Sequence, residues 1–344
     1  MEEMHNFSRD DGSGLAKFFS SVDMGQSWLD KTSKLLALEL TGQTDDLSLN
    51  VCMHLIERAV EFKCHYSAES VFPRISSPES YGSVMRTDIS SLQLLGASIT
   101  VRYGCYLKLL TNQNEARDRL CQLLKKCCHA LKQQQFSPTQ SELNCVCKDR
   151  EVGFDWFLAT VFLMTSGNVD RTYNFLSSFS SVLSSAFVWT QRTHCSGLLP
   201  QSFVQSGILP LYSVTCHNVE LILQLELPHI HSVFRMSGCS PAQICQQWLN
   251  QCFWNYLDWP QIYQYVTICV VFGADYQVYM CIALLRHLQH QLMQQMQDKN
   301  LLIFLKEEPI RDFKIGDHLE YMQQLQKKFR ETVLSDMHSI LKEP

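Results

Sequence analysis

The sequence predicts an all-α fold. Apolar residues recur at helical spacing through most of the chain, and no segment sustains the alternation of a half-buried strand. Gly 14 and Pro 10 in 344 residues are too few for a turn-rich β architecture. An apolar fraction of 46% against 18% charged is enough for a substantial core. Lys+Arg 29 against Asp+Glu 34, net −5, argues against non-specific nucleic-acid binding. The opening MEEMHNFSRDDGSG has neither the basic nor the apolar part of a signal peptide. The charge-free stretches 172–191 and 193–219 are interrupted by six serines and by Pro200 and Pro210, so neither reads as a membrane span. Cys 15, an odd count without a secretory signal, fits reduced thiols in the cytoplasm.

Taken in order, residues 46–64 place Leu49, Met53, Ile56 and Val60 on one helical face. Residues 67–88 then collect serines, Pro73, Pro78 and Gly82 and read as a linker or long loop. From 88 a helix is expected with Asp88 as cap and Leu92, Leu95, Ile99, Tyr103 and Tyr106 as its apolar face. Residues 114–134 carry Leu120, Leu123, Leu124 and Leu131 among charges. Residues 155–165 are apolar nearly all round, the mark of a buried helix. A Ser-rich helix is expected over 168–190, its small residues permitting close approach. Ser240-Pro241 is the strongest start signal, cap followed by first-turn proline, and the helix is expected to run through Trp248, Phe253 and Trp254. Gly273-Ala274-Asp275 reads as a stop and restart. A last amphipathic helix is expected over 316–340, packed on its own bundle or paired with another chain. The expected division is an N-terminal helical segment 1–66 (the end of a helical repeat region), a linker 67–87, a main domain 88–297 and a C-terminal helical extension 298–344.

Catalytic and metal constellations are scarce. Cys127-Cys128-His129 and Cys145-Val146-Cys147 are the densest thiols, but neither has the spacing of a zinc site, and adjacent cysteines on a helix point about 100° apart. Packing is the better reading, with no stoichiometric zinc and no cofactor expected. His229-x-His231 reads as a helix start, and His287-x2-His290 as a solvated face. There is no G-x-S-x-G elbow, phosphate loop or H-E-x-x-H motif. Lys125-Lys126 with Arg117 and Arg119 is a small basic patch, read as a solvated face. Trp248, Phe253, Trp254, Tyr256 and Trp259 read as core, with Trp259, before Pro260, the member expected at a partner surface.

Residues 227–292 resemble the C-terminal half of a TBC, or Rab GTPase-activating, domain. That half reads Pro, an apolar residue, a second Pro thirteen on, a Trp seven later and a Phe five beyond. Here these are Pro228, Ile230, Pro241, Trp248 and Phe253, followed by Gly273 and the apolar run Ala283-Leu284-Leu285. The Trp-Asp pair that usually precedes the glycine is missing around Tyr265-Val266-Thr267. The resemblance implies a TBC-like helical bundle and a Rab-type small GTPase as partner. It also sharpens what is absent. Active members supply arginine from I-x-x-D-x-x-R, to neutralise charge on the transferred phosphoryl, and glutamine from Y-x-Q, to position water. The chain has no D-x-x-R, and its one Y-x-Q, Tyr321-Met322-Gln323, lies in the last helix. Losing an arginine finger costs about 10³–10⁵ in rate, so a non-catalytic domain is expected, with no catalytic residues. Should another arginine substitute, Arg102, Arg150, Arg171 and Arg192 are the candidates upstream of the matched half. Stretches such as TVRYG, CHNVELILQLELP and MSGCSPAQICQQWLNQCFWNYLDW resemble one divergent member of the family over residues 87 to 344. That likeness implies a role in primary cilium assembly and Sonic hedgehog signalling with a cell-cycle-related kinase.

Overall fold

The computed structural model describes residues 27–42, 47–66, 72–75, 89–133, 153–195, 211–295 and 301–342. Every regular element among them is helical. In chain order these are α1 (Trp28–Gly42), α2 (Leu49–Tyr66), α3 (Ser91–Tyr106), α4 (Gln113–Gln133), α5 (Trp156–Met164), α6 (Val169–Phe179), α7 (Ser185–Val188) and α8 (Thr190–Cys195). A π-helical turn, Leu211–Cys216, then leads into α9 (His217–Glu226), α10 (Pro228–Met236), α11 (Pro241–Asn250), α12 (Trp259–Val271), α13 (Tyr276–His287), α14 (Gln289–Gln295), α15 (Leu301–Glu307) and α16 (Ile315–Lys342).

The middle of the bundle is α5, α12 and α13, buried on nearly every side. Such helices need an apolar sequence all round, and 156–164 has one. Asp155 caps α5, its Oδ1 accepting from the Leu158 amide at 2.9 Å. Ser240 caps α11, accepting from Ala242 at 3.2 Å, with Pro241 in the first turn. Gly273, at φ +136°, separates α12 from α13 in a conformation that disfavours a side chain.

Several elements depart from the sequence reading. The cap of α3 is Ser90, not Asp88: its hydroxyl accepts from Gln93 N–H, and the Gln93 side chain returns the bond. Leu92, Leu95, Ile99 and Tyr106 face outward, and the buried face is Gly96, Ala97, Thr100, Val101 and Gly104. Close approach explains the inversion. A Cβ at Gly96 would sit 2.2 Å from the Phe154 ring. The Ser-rich helix breaks after Phe179, because Ser180, Ser181 and Ser185 turn their hydroxyls onto backbone carbonyls. The Ser240 helix ends at Asn250. Residues 251–257 form a turn with Cys252, Phe253 and Asn255 all at positive φ.

The expected 67–87 linker does not separate two cores. Its described part, 72–75, is pinned on the serine turn: Ile75 N–H donates to Ser180 Oγ at 3.1 Å, Ser177 Oγ donates to the Ile75 carbonyl at 2.7 Å, and Ile75 is buried. On its N-terminal side α2 lies along α12, with Tyr263 Oη donating to the Leu47 carbonyl at 2.7 Å. Residues from α1 and α2 share one continuous core with α12, α13 and α16. The amphipathic α16 packs on its own bundle, against α1 and α13.

Candidate functional site

Accelerating GTP hydrolysis on a bound GTPase with an arginine finger needs an arginine free to reach outward, so the surroundings of each candidate arginine bear on that activity. Arg171 stands in the first turn of α6, whose cap Asn168 accepts from its amide at 3.0 Å. Its guanidinium fork is closed on Glu57 of α2, with Nε at 2.7 Å from Oε1 and Nη2 at 2.8 Å from Oε2. This is the bidentate geometry of a strong pair. The two residues line a groove of about 900 Å³ between α2 and α6, walled also by His54, Arg74, Asp170 and Asn174. Burial pulls the His54 imidazole below its ordinary value, and Glu57 pulls it back. The groove is therefore mixed in charge rather than basic.

Arg192 of α8 is fully buried and lies over the Phe72 ring at 4.4 Å. Burial pulls its pKa down. Arg102 is exposed on α3. Arg150 lies outside the described residues. The sole Y-x-Q, Tyr321-Met322-Gln323, sits on α16, where Met322 is in the core and the Tyr321 ring lies under Arg286 at 4.1 Å.

The TBC-pattern residues are structural in position. Pro228 and Pro241 occupy the first turns of α10 and α11. Trp248 and Phe253 are fully buried, and Trp248 Nε1 points to the Leu305 carbonyl at 3.4 Å. Trp259, expected at a partner surface, is instead 6% exposed. Three rings enclose it: Tyr263 at 5.8 Å, Trp254 at 6.3 Å and Tyr103 at 6.3 Å. The proline after it only starts α12 and does not bring it outward.

Of the basic patch, Arg119 borders an open hollow beside Ser166–Asp170. Burial holds the Cys127 thiol well above its ordinary value, which disfavours the thiolate that a metal needs. Cys145 and Cys147 lie outside the described residues. In the basic patch, Lys126 covers the Tyr173 ring at 3.9 Å and Arg119 pairs with Glu115. His287, expected on a solvated face, is partly buried: its Nε2 is 2.9 Å from the Arg311 carbonyl, and its ring meets Phe313 and His318, both at 5.4 Å. No helix among the described residues is long and apolar enough to cross a membrane.

A helical bundle with the proline, tryptophan and glycine positions of a TBC half fits the class of TBC-like proteins. The comparisons place it more narrowly. The family model described as "Broad-minded protein Rab TBC domain" matches residues 3–340, and the chain belongs to that family. It is 46% identical over 315 residues to protein broad-minded of Danio rerio, covering 92% of this chain and 24% of that protein. It is 39% identical over 326 residues to protein broad-minded of Mus musculus, covering 95% of this chain and 25% of that protein. The chain thus spans about a quarter of the length of these relatives. No solved structure matches it.

Proposed function

We propose that this chain is a non-catalytic TBC-like scaffold that acts in primary cilium assembly and Sonic hedgehog signalling, in the cytoplasm and at the cilium or its base, together with a cell-cycle-related kinase. The observation that carries the non-catalytic half is the state of the described upstream arginines. Arg171 is held by two bonds to Glu57, Arg192 is buried, and Arg102 stands on an apolar helix without a glutamine of the Y-x-Q type nearby in sequence. The ciliary and kinase half rests on family membership and on the likeness to the two broad-minded proteins.

A second reading keeps the Rab contact, since the family is described by a Rab TBC domain. In it the chain binds a GTP-loaded Rab without hastening hydrolysis. Single-turnover GTP hydrolysis by a panel of Rab proteins, with and without the purified chain, is the test. The scaffold reading expects the intrinsic rate throughout. Acceleration on any Rab that is lost in Arg102→Ala or Arg171→Ala would replace it with an active GTPase-activating protein. Nucleotide-dependent binding at unchanged turnover would select the second reading.

A further inference from the structure

The groove between α2 and α6 carries charges beyond the closed Arg171–Glu57 pair. Arg171 of α6 meets Glu57 of α2, and further along the Cys64 thiol donates to the Ser178 carbonyl at 3.6 Å, so the two helices run parallel beside an opening of about 900 Å³. Its charged side chains fall into two groups. Glu57 is engaged by Arg171, and Glu61 by Arg58 at 2.9 Å. Asp170 and Arg74 are exposed, and neither side chain has a hydrogen-bond or ion-pair partner among the described residues. These two stand at opposite ends. Asp170 lies in the first turn of α6. Arg74 is held at the far end, because its neighbour Ile75 is bonded to Ser177 and Ser180. About eight residues of helix separate the two ends, or about 12 Å at 1.5 Å per residue. Asn174 lies between them, exposed and likewise without a side-chain partner among the described residues. Its amide offers both donors and an acceptor, the complement of a peptide backbone.

We infer that this groove binds a short extended segment of a partner protein, with a basic side chain on Asp170, an acidic side chain on Arg74 and main-chain amide groups on Asn174. An extended chain advances about 3.3 Å per residue, so the partner's two charged side chains stand about four positions apart, an even spacing that turns both toward the groove. Charge complementarity selects this occupant. Among the lining residues Glu57, Glu61 and Asp170 offset Arg74 and Arg171. That balance disfavours nucleic acid and anionic lipid, both of which are drawn to a basic surface. A free amino acid is too short to reach both ends. A polypeptide supplies both signs at the required separation and the backbone groups between them. Such a site gives the proposed scaffold a contact with a partner and rests on that reading for its use; peptide binding tests the site, GTP hydrolysis tests the reading, and the two fail separately.

Selection of phage-displayed random peptides on the immobilised chain tests this. The expected result is enrichment of sequences with one basic and one acidic residue about four positions apart. By fluorescence anisotropy, the fluorescein-labelled enriched peptide should bind Asp170→Lys and Arg74→Glu about fivefold more weakly or worse, since an exposed ion pair is worth up to about that factor and a like charge replaces it. Selection repeated on Asp170→Lys should yield peptides with two acidic residues, and on Arg74→Glu peptides with two basic ones. Both positions are exposed, and circular dichroism checks that the variants fold. Should either misfold, a benzoylphenylalanine placed between the two charges of the peptide decides on the unsubstituted chain: photo-crosslinks within 54–65 or 168–178 are expected, and crosslinks confined to other residues overturn the proposal. No enrichment, enrichment without the charge pattern, or unchanged affinity in both variants also overturns it. So does binding of phosphatidylserine vesicles or of a single-stranded oligonucleotide that Arg74→Glu abolishes, which assigns the groove to phosphate groups instead.

Discussion

Replacing Arg330 by alanine probes the seam between α16 and the α12–α13 turn. Arg330 Nη2 donates to the Phe272 carbonyl at 3.1 Å, and Nη1 lies 3.5 Å from Asp275 Oδ2. The Asp275 side chain is 0% exposed and that of Arg330 36% exposed. Removing one partner of a buried ion pair costs about 3–5 kcal/mol, because the other charge stays behind. Water at the outer edge of Arg330 and proton uptake by Asp275 both soften this, so about 2–3 kcal/mol is expected at pH 8. Burial raises the Asp275 carboxyl above the ordinary 3.8, and Arg330 pulls it back. Without Arg330 it rises further. A raised carboxyl pKa means that the folded state binds the proton more tightly, so stability is recovered as pH falls. The penalty of Arg330→Ala is therefore full above the variant's folded pKa and fades as pH falls towards 3.8. What remains is about 1 kcal/mol for the lost bond to Phe272. Urea unfolding at pH 8 and pH 5 of the wild type, Arg330→Ala, Asp275→Asn and the double variant reads all of this. A loss under about 0.5 kcal/mol at pH 8 would refute the reasoning, being no more than an ordinary surface substitution. So would an equal loss in the Asp275→Asn background.

Trp248→Ala should cost about 3–5 kcal/mol by thermal unfolding, since Trp248 is fully buried and its ring meets Tyr256 at 6.1 Å; a wild-type melting temperature would contradict its place in the core. Lys108, exposed at φ 60°, should accept glycine with a gain of about 0.5–1 kcal/mol, the left-handed strain relieved less the extra chain entropy; a loss in urea unfolding would contradict the backbone geometry. Asp155 is raised to about 6 by burial, against the bonds from Leu158 and Trp189. Its contribution is thus fully present below 3.8 and is lost as pH rises through about 6. The stability difference between wild type and Asp155→Asn should move against the wild type over that window, and a flat difference would show that Asp155 does not titrate there.

Where local chemistry decides, the fold was legible. Ser240-Pro241 and Gly273 mark the ends of helices directly, and the unbroken apolar run of 156–164 signals a helix buried on all sides. The face of α3 was read backwards, because apolar periodicity weights leucine and isoleucine while its contacts are made by Gly96, Ala97 and Gly104 through close approach. The turn at 251–257 carries no glycine or proline, so nothing local announces it, and three residues are held at positive φ by the packing of Phe253 and its neighbours. The pairing of Arg171 with Glu57 spans 114 residues of sequence, and spacing cannot reveal it. The same holds for Ile75, whose polar surroundings disguise a buried side chain.

The contact between α1 and α16 also orders events in time. Gly316 lies so close to the Leu40 carbonyl that a Cβ there would approach it to 2.1 Å, so the two helices cross nearly backbone to backbone. Yet the ribosome completes Gly42 well before it starts Ile315, an interval on the order of half a minute at 5–20 residues per second. Through that interval the face of α1 that meets α16 has no native cover, whereas α2 can already pack on α5 and α6. The seam of α1 is therefore among the last parts of the fold to form, because only the final helix closes it.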